Sequence, residues 1–456
     1  MIFISNRFYI GKEVTAYADV RFKNDILLKL FNRFTYTESV LRVEVGAENT
    51  FVIGDIEVPE IPDGCEYTLL VSEKGAAIVG RDYSSLMRGY FSMLMKIERE
   101  MGKRELFIDP VCENKAYDIK NRMAHLCVFP ENSLLEIKKY IRIFAVLQYT
   151  HIVIEFWGMI KFDILPSLAW DNAFTKDEVK EIVSEARALG LEVIPMFNSL
   201  AHASQSRSMS GKHTILDNDL SLYHLFTPDG WAWDLENEDV WALFKEIRHE
   251  LYEVFDGCRY FHLGFDESHA HNQNPYLKER LPYYMSRLTK EVQGEGKRPM
   301  IWMDMLLPPD AFSNMVGNCH SIKPKDECLK IIKALANNTV FVDWEYSVKK
   351  APISSLLYFK DLGIDIIGAS WFDIENAGSH IDTISNNKLF GYMHTTWHTI
   401  ARDLPNVISI ASKLGASLPV WKNESTDQLI LSVLYRAINI DGGDYQSYGW
   451  IKNQLP

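Results

Sequence analysis

The chain has 456 residues, 47% hydrophobic and 24% charged, with a net charge of −13. That balance suits a globular protein of two or three domains with a large core. Acids and bases are interspersed without a basic patch, which argues against nucleic acid as a partner, and no apolar stretch approaches a membrane span, so no membrane association is expected.

The amino terminus lacks a basic segment followed by a long apolar one, so no signal peptide is expected. Residues 1–112 read as a small α/β domain. Runs at 39–45, 66–72 and 76–80 have strand character, the last two joined as a hairpin through Glu73-Lys74-Gly75. Leu86, Met87, Tyr90, Met93, Leu94 and Ile97 then recur at helical spacing.

From about Tyr117 the pattern becomes an alternation, and residues 113–456 read as one unit ending in a short helical tail. Short β-like runs occur at 122–128, 150–155, 192–197, 260–265, 299–303, 339–342, 364–368 and 389–394. Between the early ones, Ser133-Leu134-Leu135-Glu136 and Thr175-Lys176-Asp177-Glu178 are capping boxes that open amphipathic helices. Gly190 stops the second helix. Eight strands alternating with helices predict a (β/α)8 TIM barrel, an α/β fold, preceded by the small α/β domain.

In such a barrel the residues just past each strand share one mouth. The fourth run ends in Asp266 and Glu267, within Tyr-Phe-His-Leu-Gly-Phe-Asp-Glu-Ser over residues 260–268. Adjacent acids converge on one ligand only where a strand has ended and the chain turns. The other strand ends bring Glu155 and Trp157, Asn198 and His202, Trp302 and Asp304, Trp344, Glu345 and Tyr346, Trp371 and Asp373, and Trp397. An acid pair ringed by tryptophans predicts a pocket for a single sugar, aromatic faces being apolar platforms with polar edges. Glycosidic cleavage needs a proton donor to the leaving oxygen and stabilisation of a cationic carbon. Glu267 fits the donor. Its nearest acidic neighbour is adjacent in sequence, which suits substrate assistance: the sugar's own 2-acetamido oxygen attacks, and Asp266 orients that amide.

These residues resemble glycoside hydrolase family 20, the β-N-acetylhexosaminidases, and the combination of Leu200-Ala201-His202, Trp302-Met303-Asp304 and Trp344-Glu345-Tyr346 looks nearest a divergent bacterial branch. The family's His-x-Gly-Gly-Asp-Glu reads His262-Leu263-Gly264-Phe265-Asp266-Glu267 here, with Phe265 in place of the second glycine and expected to narrow the pocket. Its Pro-Glu-x-Asp-x-Pro-Gly-His becomes 195–202, where His202 matches and Asn198 replaces an acid. Its terminal Trp-x-Glu becomes Trp397-His398-Thr399, without the acid. The resemblance implies that Asp266 positions the acetamido group, that Glu267 is general acid and then base, and that Tyr346 gives the acetamido oxygen a second hydrogen bond. It also implies that Trp302, Trp344, Trp371 and Trp397 wall the pocket and that Arg122 holds sugar hydroxyls. A buried ion pair with Glu155 is the alternative for Arg122. Asn198, His202 and Asp304 complete the expected site, with Asn198 and His202 alternatively supporting the acid pair from behind.

The six cysteines are scattered without a C-x-x-C pair, which reads as reduced thiols in a cytoplasmic enzyme. Glu267-Ser268-His269-Ala270-His271 lacks metal-ligand spacing, and neither metal nor cofactor is expected. The expected activity is a retaining exo-β-N-acetylhexosaminidase acting on N-acetylhexosamine-terminated glycans. Two readings stand beside it: a two-carboxylate glycosidase with Glu345 or Asp373 as nucleophile, and a sugar-binding barrel without catalysis. Monomer and homodimer are both left open.

Overall fold

The computed structural model describes residues 6–418 except 37, 101, 205–218, 313–320, 322 and 398–399, together with 440–441. Its centre is a closed barrel of eight parallel strands. Strand one is Asn121–Cys127, two His151–Glu155, three Glu192–Met196, four Tyr260–His262, five Arg298–Trp302, six Val340–Asp343, seven Ile366–Ser370 and eight Gly391–Thr395. Strand eight pairs back onto strand one, Arg122 opposite Tyr392 and His125 opposite Thr395.

Both faces of each strand are buried, as covering helices require. Met123, Val153, Ile194, Met300, Val340 and Met393 fill the interior, while Ala124, Ile152, Val193 and Ile301 pack outward. Both capping boxes form, opening helices Leu134–Val146 and Lys176–Ala188. The later helices have subtler starts. Asn237 caps Glu238–Val254, Asn274 caps Pro275–Gly294, and Asp373 caps Ile374–Asn387. The helix Ile400–Lys413 follows strand eight. No described helix is long and apolar enough to cross a membrane.

The small domain is a six-stranded sheet in the order Val40–Val45, Glu13–Ala18, Thr50–Gly54, Gly75–Gly80, Tyr67–Ser72, Val111–Lys115. The final strand carries this sheet three residues beyond the break expected at 112, so the division falls between Lys115 and Asn121. Helix Tyr83–Met95 lies against the sheet and is buried along almost its whole length. Gly89 permits the close approach, since a Cβ there would stand 2.5 Å from Ile78 Cγ2. The far end of the same helix touches the barrel, where the Tyr83 hydroxyl donates to the Ala188 carbonyl at 2.6 Å.

Arg122 belongs to this inter-domain seam and not to a sugar site. It is the second residue of strand one, so it lies at the barrel end opposite the mouth. Its guanidinium stands 3.6 Å over the Tyr117 ring, donates to the Ile119 carbonyl at 2.7 Å, and lies 3.6 Å from Glu66 of the small domain. The alternative pairing with Glu155 fails for the same reason, because Glu155 closes strand two at the other end.

Removing one partner of a buried ion pair costs about 3–5 kcal/mol. Arg122→Met is therefore expected to lose stability on that scale in urea denaturation, with KM for a sugar substrate unchanged. A raised KM at unchanged stability would return Arg122 to the binding site.

Candidate active site

Strand four is short, and the chain after it turns through a rare conformation. Gly264, Phe265 and Glu267 have φ of 74°, 91° and 51°. The turn is held from both sides. Ser199 N–H donates to the Leu263 carbonyl at 2.9 Å, and Trp302 N–H donates to the Gly264 carbonyl at 2.8 Å. Gly264 has no substitute here, because a Cβ would come within 2.3 Å of Asn198 Oδ1. Phe265 tolerates a conformation that favours glycine because its ring is wholly buried in the core outside the barrel. The expectation that it narrows the pocket is corrected by that direction.

The turn leaves Asp266 and Glu267 at the mouth under one imidazole. His202 Nε2 lies 3.2 Å from Asp266 Oδ2 and 3.1 Å from Glu267 Oε2. The Asp266 side chain is 8% exposed and that of Glu267 32%. Asp266 Oδ1 is buried without a hydrogen-bond partner among the described residues, an acceptor open to a donor from a bound molecule. Glu267 is fixed at its backbone as well. Its N–H donates to Asp304 Oδ2 at 2.9 Å, and its carbonyl accepts from Trp231 Nε1 at 2.7 Å.

Asp304 is fully buried, and its second oxygen accepts from Trp344 Nε1 at 3.2 Å. Burial first, and the neighbouring charge of Asp266 next, push its carboxyl well above the usual range. It was expected to bind substrate; the structure instead makes it the strut between the acid turn and the Trp344 ring.

Aromatic rings line the far side. Trp397 Nε1 donates to the Tyr346 hydroxyl at 2.9 Å, and that hydroxyl lies 3.1 Å from Thr395 Oγ1. Tyr346 sits between Trp344 and Trp371, with centroids 5.5 and 5.7 Å away. Burial raises the Tyr346 phenol, and the charges of Asp266 and Glu267 add to the effect. Trp344, Trp371 and Trp397 are part-exposed, as pocket walls must be. Trp302 departs from them. It ends strand five facing inward and is fully buried, 4.6 Å from the His262 ring and 5.6 Å from Trp397, so it floors the mouth.

Asn198 also lies below the acid pair. Its Nδ2 donates to Glu155 Oε1 at 2.7 Å and its carbonyl accepts from Trp233 Nε1 at 2.9 Å. Of the two residues offered as support for the acids, only His202 touches them. The alternative nucleophiles have partners of their own, although Glu345 Oε2 is buried without a hydrogen-bond partner among the described residues. Asp373 caps its helix and pairs with Lys349 at 2.6 Å. Glu345 Oε1 accepts from Ser347 N–H at 2.6 Å. His269 is exposed beside Trp231, and His271 is buried against Ser268 and Tyr284. The Trp157 side chain and Thr399 lie outside what the structure describes.

Sequence reasoning missed Trp231, whose ring lies 4.4 Å from His202 and 6.0 Å from His269. A signal was present in Pro228-Asp229-Gly230-Trp231-Ala232-Trp233, a turn followed by alternating tryptophans, but it lies well past the end of strand three.

Residues 157–325 match the family model described as glycosyl hydrolase family 20, catalytic domain. A lacto-N-biosidase of Bifidobacterium bifidum is 22% identical over 256 residues, which is 52% of this chain and 22% of that protein. The match thus spans about a fifth of the curated relative's length. Among solved structures, the β-N-acetylhexosaminidase of Streptomyces coelicolor A3(2) superposes with a TM-score of 0.67 at 15% identity, covering 97% of this chain and 95% of its own. The β-N-acetylhexosaminidase of Bacteroides fragilis NCTC 9343 gives 0.65 at 16% identity, covering 99% and 93%. An exo-β-N-acetylglucosaminidase of Vibrio harveyi, in complex with N-acetylglucosamine, gives 0.64 at 14%, covering 95% and 74%.

The raised Asp304 carboxyl has a consequence for stability. The folded protein keeps this proton where the unfolded chain, with a value near 3.8, has lost it. The resulting stabilisation is full below that value and is lost as pH rises through the folded one. Asp304→Asn cannot ionise, so its melting temperature relative to the unmodified protein is expected to climb from acid to neutral pH. Turnover should fall on the order of 100-fold, because the amide cannot accept from both Glu267 N–H and Trp344 Nε1. A flat difference in melting temperature across pH would refute the assignment.

Proposed function

We propose that this protein, a glycoside hydrolase of family 20, is a retaining exo-β-N-acetylhexosaminidase that releases terminal β-linked GlcNAc or GalNAc through an oxazolinium intermediate. The observation that carries the reading is the division of labour within the acid pair. Asp266 is buried with one oxygen lacking a donor among the described residues, while Glu267 is partly exposed with both ends of its peptide unit fixed.

A bound 2-acetamido group supplies the N–H that Asp266 Oδ1 lacks. Held by that hydrogen bond, the amide turns its oxygen toward the anomeric carbon, and Asp266 offsets the positive charge that develops on nitrogen as the ring closes. Tyr346 supports the same step: its hydroxyl accepts from Trp397 and donates to Thr395 Oγ1, whose own proton goes to the Ser370 carbonyl, and it turns from Thr395 to donate to the acetamido oxygen when substrate binds. Glu267 protonates the departing glycosidic oxygen, then takes a proton from the water that opens the intermediate. His202 lies within hydrogen-bond reach of both acids, so an Nε2–H there steadies whichever is charged. Trp344, Trp371 and Trp397 offer apolar faces to the sugar. A two-carboxylate mechanism is less well supported, since Asp373 serves as a helix cap and one oxygen of the fully buried Glu345 is tied to Ser347.

We propose a cytoplasmic location with it, supported by the scattering of the six cysteines along the sequence without a C-x-x-C pair.

The test is turnover of aryl N-acetyl-β-glucosaminide and galactosaminide. Glu267→Gln should lower kcat for unactivated linkages by roughly 10²–10⁴, and much less for aryl leaving groups that depart without a proton. Asp266→Asn should lower kcat for both kinds of substrate by roughly 10²–10³. A thiazoline mimic of the cyclised intermediate should inhibit strongly. Hydrolysis of sugars lacking the acetamido group, untouched by the thiazoline, would favour the two-carboxylate reading. Sugar binding without any turnover would favour the non-catalytic one.

A further inference from the structure

Beneath the acid pair, inside the barrel, three side chains of metal-ligating type converge. His125 and Cys127 lie two residues apart on strand one, on its inward face. Glu155 closes strand two and is paired in register with Cys127. Cys127 Sγ lies 3.2 Å and His125 Nε2 3.5 Å from the same oxygen, Glu155 Oε2. One ligand atom from each residue lies within 4.8 Å of the other two, and all three residues are buried.

Thiolate, imidazole and carboxylate at zinc bond lengths of about 2.0–2.3 Å stand roughly 3.3–3.8 Å apart in a tetrahedral site. The two measured separations are close to that range, so an ion fits with small side-chain shifts. The surroundings add an independent observation. At this level of the barrel, His262 Nε2 and Trp302 Nε1 are buried polar atoms without hydrogen-bond partners among the described residues. Such atoms commonly mark a water or an ion. His262 Nδ1 accepts from Gly264 N–H at 3.1 Å, so its Nε2 carries the proton and is a donor, not a fourth ligand.

We propose that His125, Cys127 and Glu155 bind one divalent transition ion, zinc by the softness of the donor set, with a solvent molecule in the fourth position. Binding displaces the Cys127 thiol proton, leaving a thiolate and a carboxylate that neutralise the two charges of the ion. The ion ties the end of strand one to that of strand two. Through Glu155 it also steadies Asn198, against which the Gly264 turn packs. Its role is structural, below the reacting groups.

The experiment reads metal content and not glycoside turnover, so it is independent of the proposed activity. The full chain is produced in zinc- or cobalt-supplemented medium, dialysed, and measured by elemental mass spectrometry and visible absorption. The expected result is about one zinc per chain. The cobalt form should show tetrahedral ligand-field bands and a thiolate-to-cobalt charge-transfer band. Cys127→Ser should lose that band and at least tenfold in retained metal, while Cys258→Ser, altering another buried thiol, should keep both. Circular dichroism and size exclusion establish that each variant is folded. If Cys127→Ser fails to fold, the cobalt spectrum of the unaltered chain decides. Folded protein with only trace metal, or a cobalt spectrum without a thiolate band, would overturn the proposal.

Discussion

The site depends on holding Glu267 in a conformation that an unsupported chain avoids. A left-handed backbone at a residue other than glycine costs of order 1–3 kcal/mol and persists only where its surroundings over-determine it. Here the surroundings do so from three directions. Asp304 takes the peptide N–H, Trp231 reaches the carbonyl, and His202 meets the carboxylate. Phe265, also left-handed, is held by burial of its ring in the outer core. The energy stored in the turn aims two consecutive acids the same way, which regular strand geometry forbids.

The barrel explains why these supports come from distant stretches of sequence. Parallel strands bring their carboxyl ends to one mouth, so residues 202, 231 and 304 all reach the turn after strand four. Each support also has a second partner: Asp304 holds Trp344, and His202 packs beside Trp231. The acid turn and the aromatic wall are therefore mechanically linked, and a shift in either moves the other.

Much of this was legible beforehand. All eight barrel strands appear in the pattern because each is a short apolar run between helices, and both capping boxes form as their residue spacing dictates. What escaped did so for identifiable reasons. Arg122 was assigned to the mouth from its motif position, although a residue that opens a parallel strand must lie at the opposite end. The resemblance makes Trp302 a wall, although the run 299–303 already contains it; as the last inward residue of strand five it belongs to the barrel interior. Strands Glu13–Ala18 and Thr50–Gly54 of the small domain are absent from the sequence reading, although Gly11 and Asp19 flank the first and Asn49 and Gly54-Asp55 bracket the second. The cluster of His125, Cys127 and Glu155 has no linear signature at all. Only closure of the sheet juxtaposes strands one and two at that depth.

The departures from the family pattern also take on a different meaning in three dimensions. Asn198 stands where the resemblance expects an acid, and in sequence this looks like a lost charge. In the fold, its amide donates to a buried carboxylate, Glu155, at 2.7 Å. An acid at 198 would put two carboxyl groups at that distance in a site with little solvent, where both could not ionise together. The amide at 198 and the acid at 155 are thus a matched pair, each making the other tolerable. Gly264 extends the constraint, because Asn198 Oδ1 occupies the space a side chain there would need. The substitution keeps the acid turn seated on its floor, and the missing acid at 198 is no argument that the acid pair above it has ceased to work.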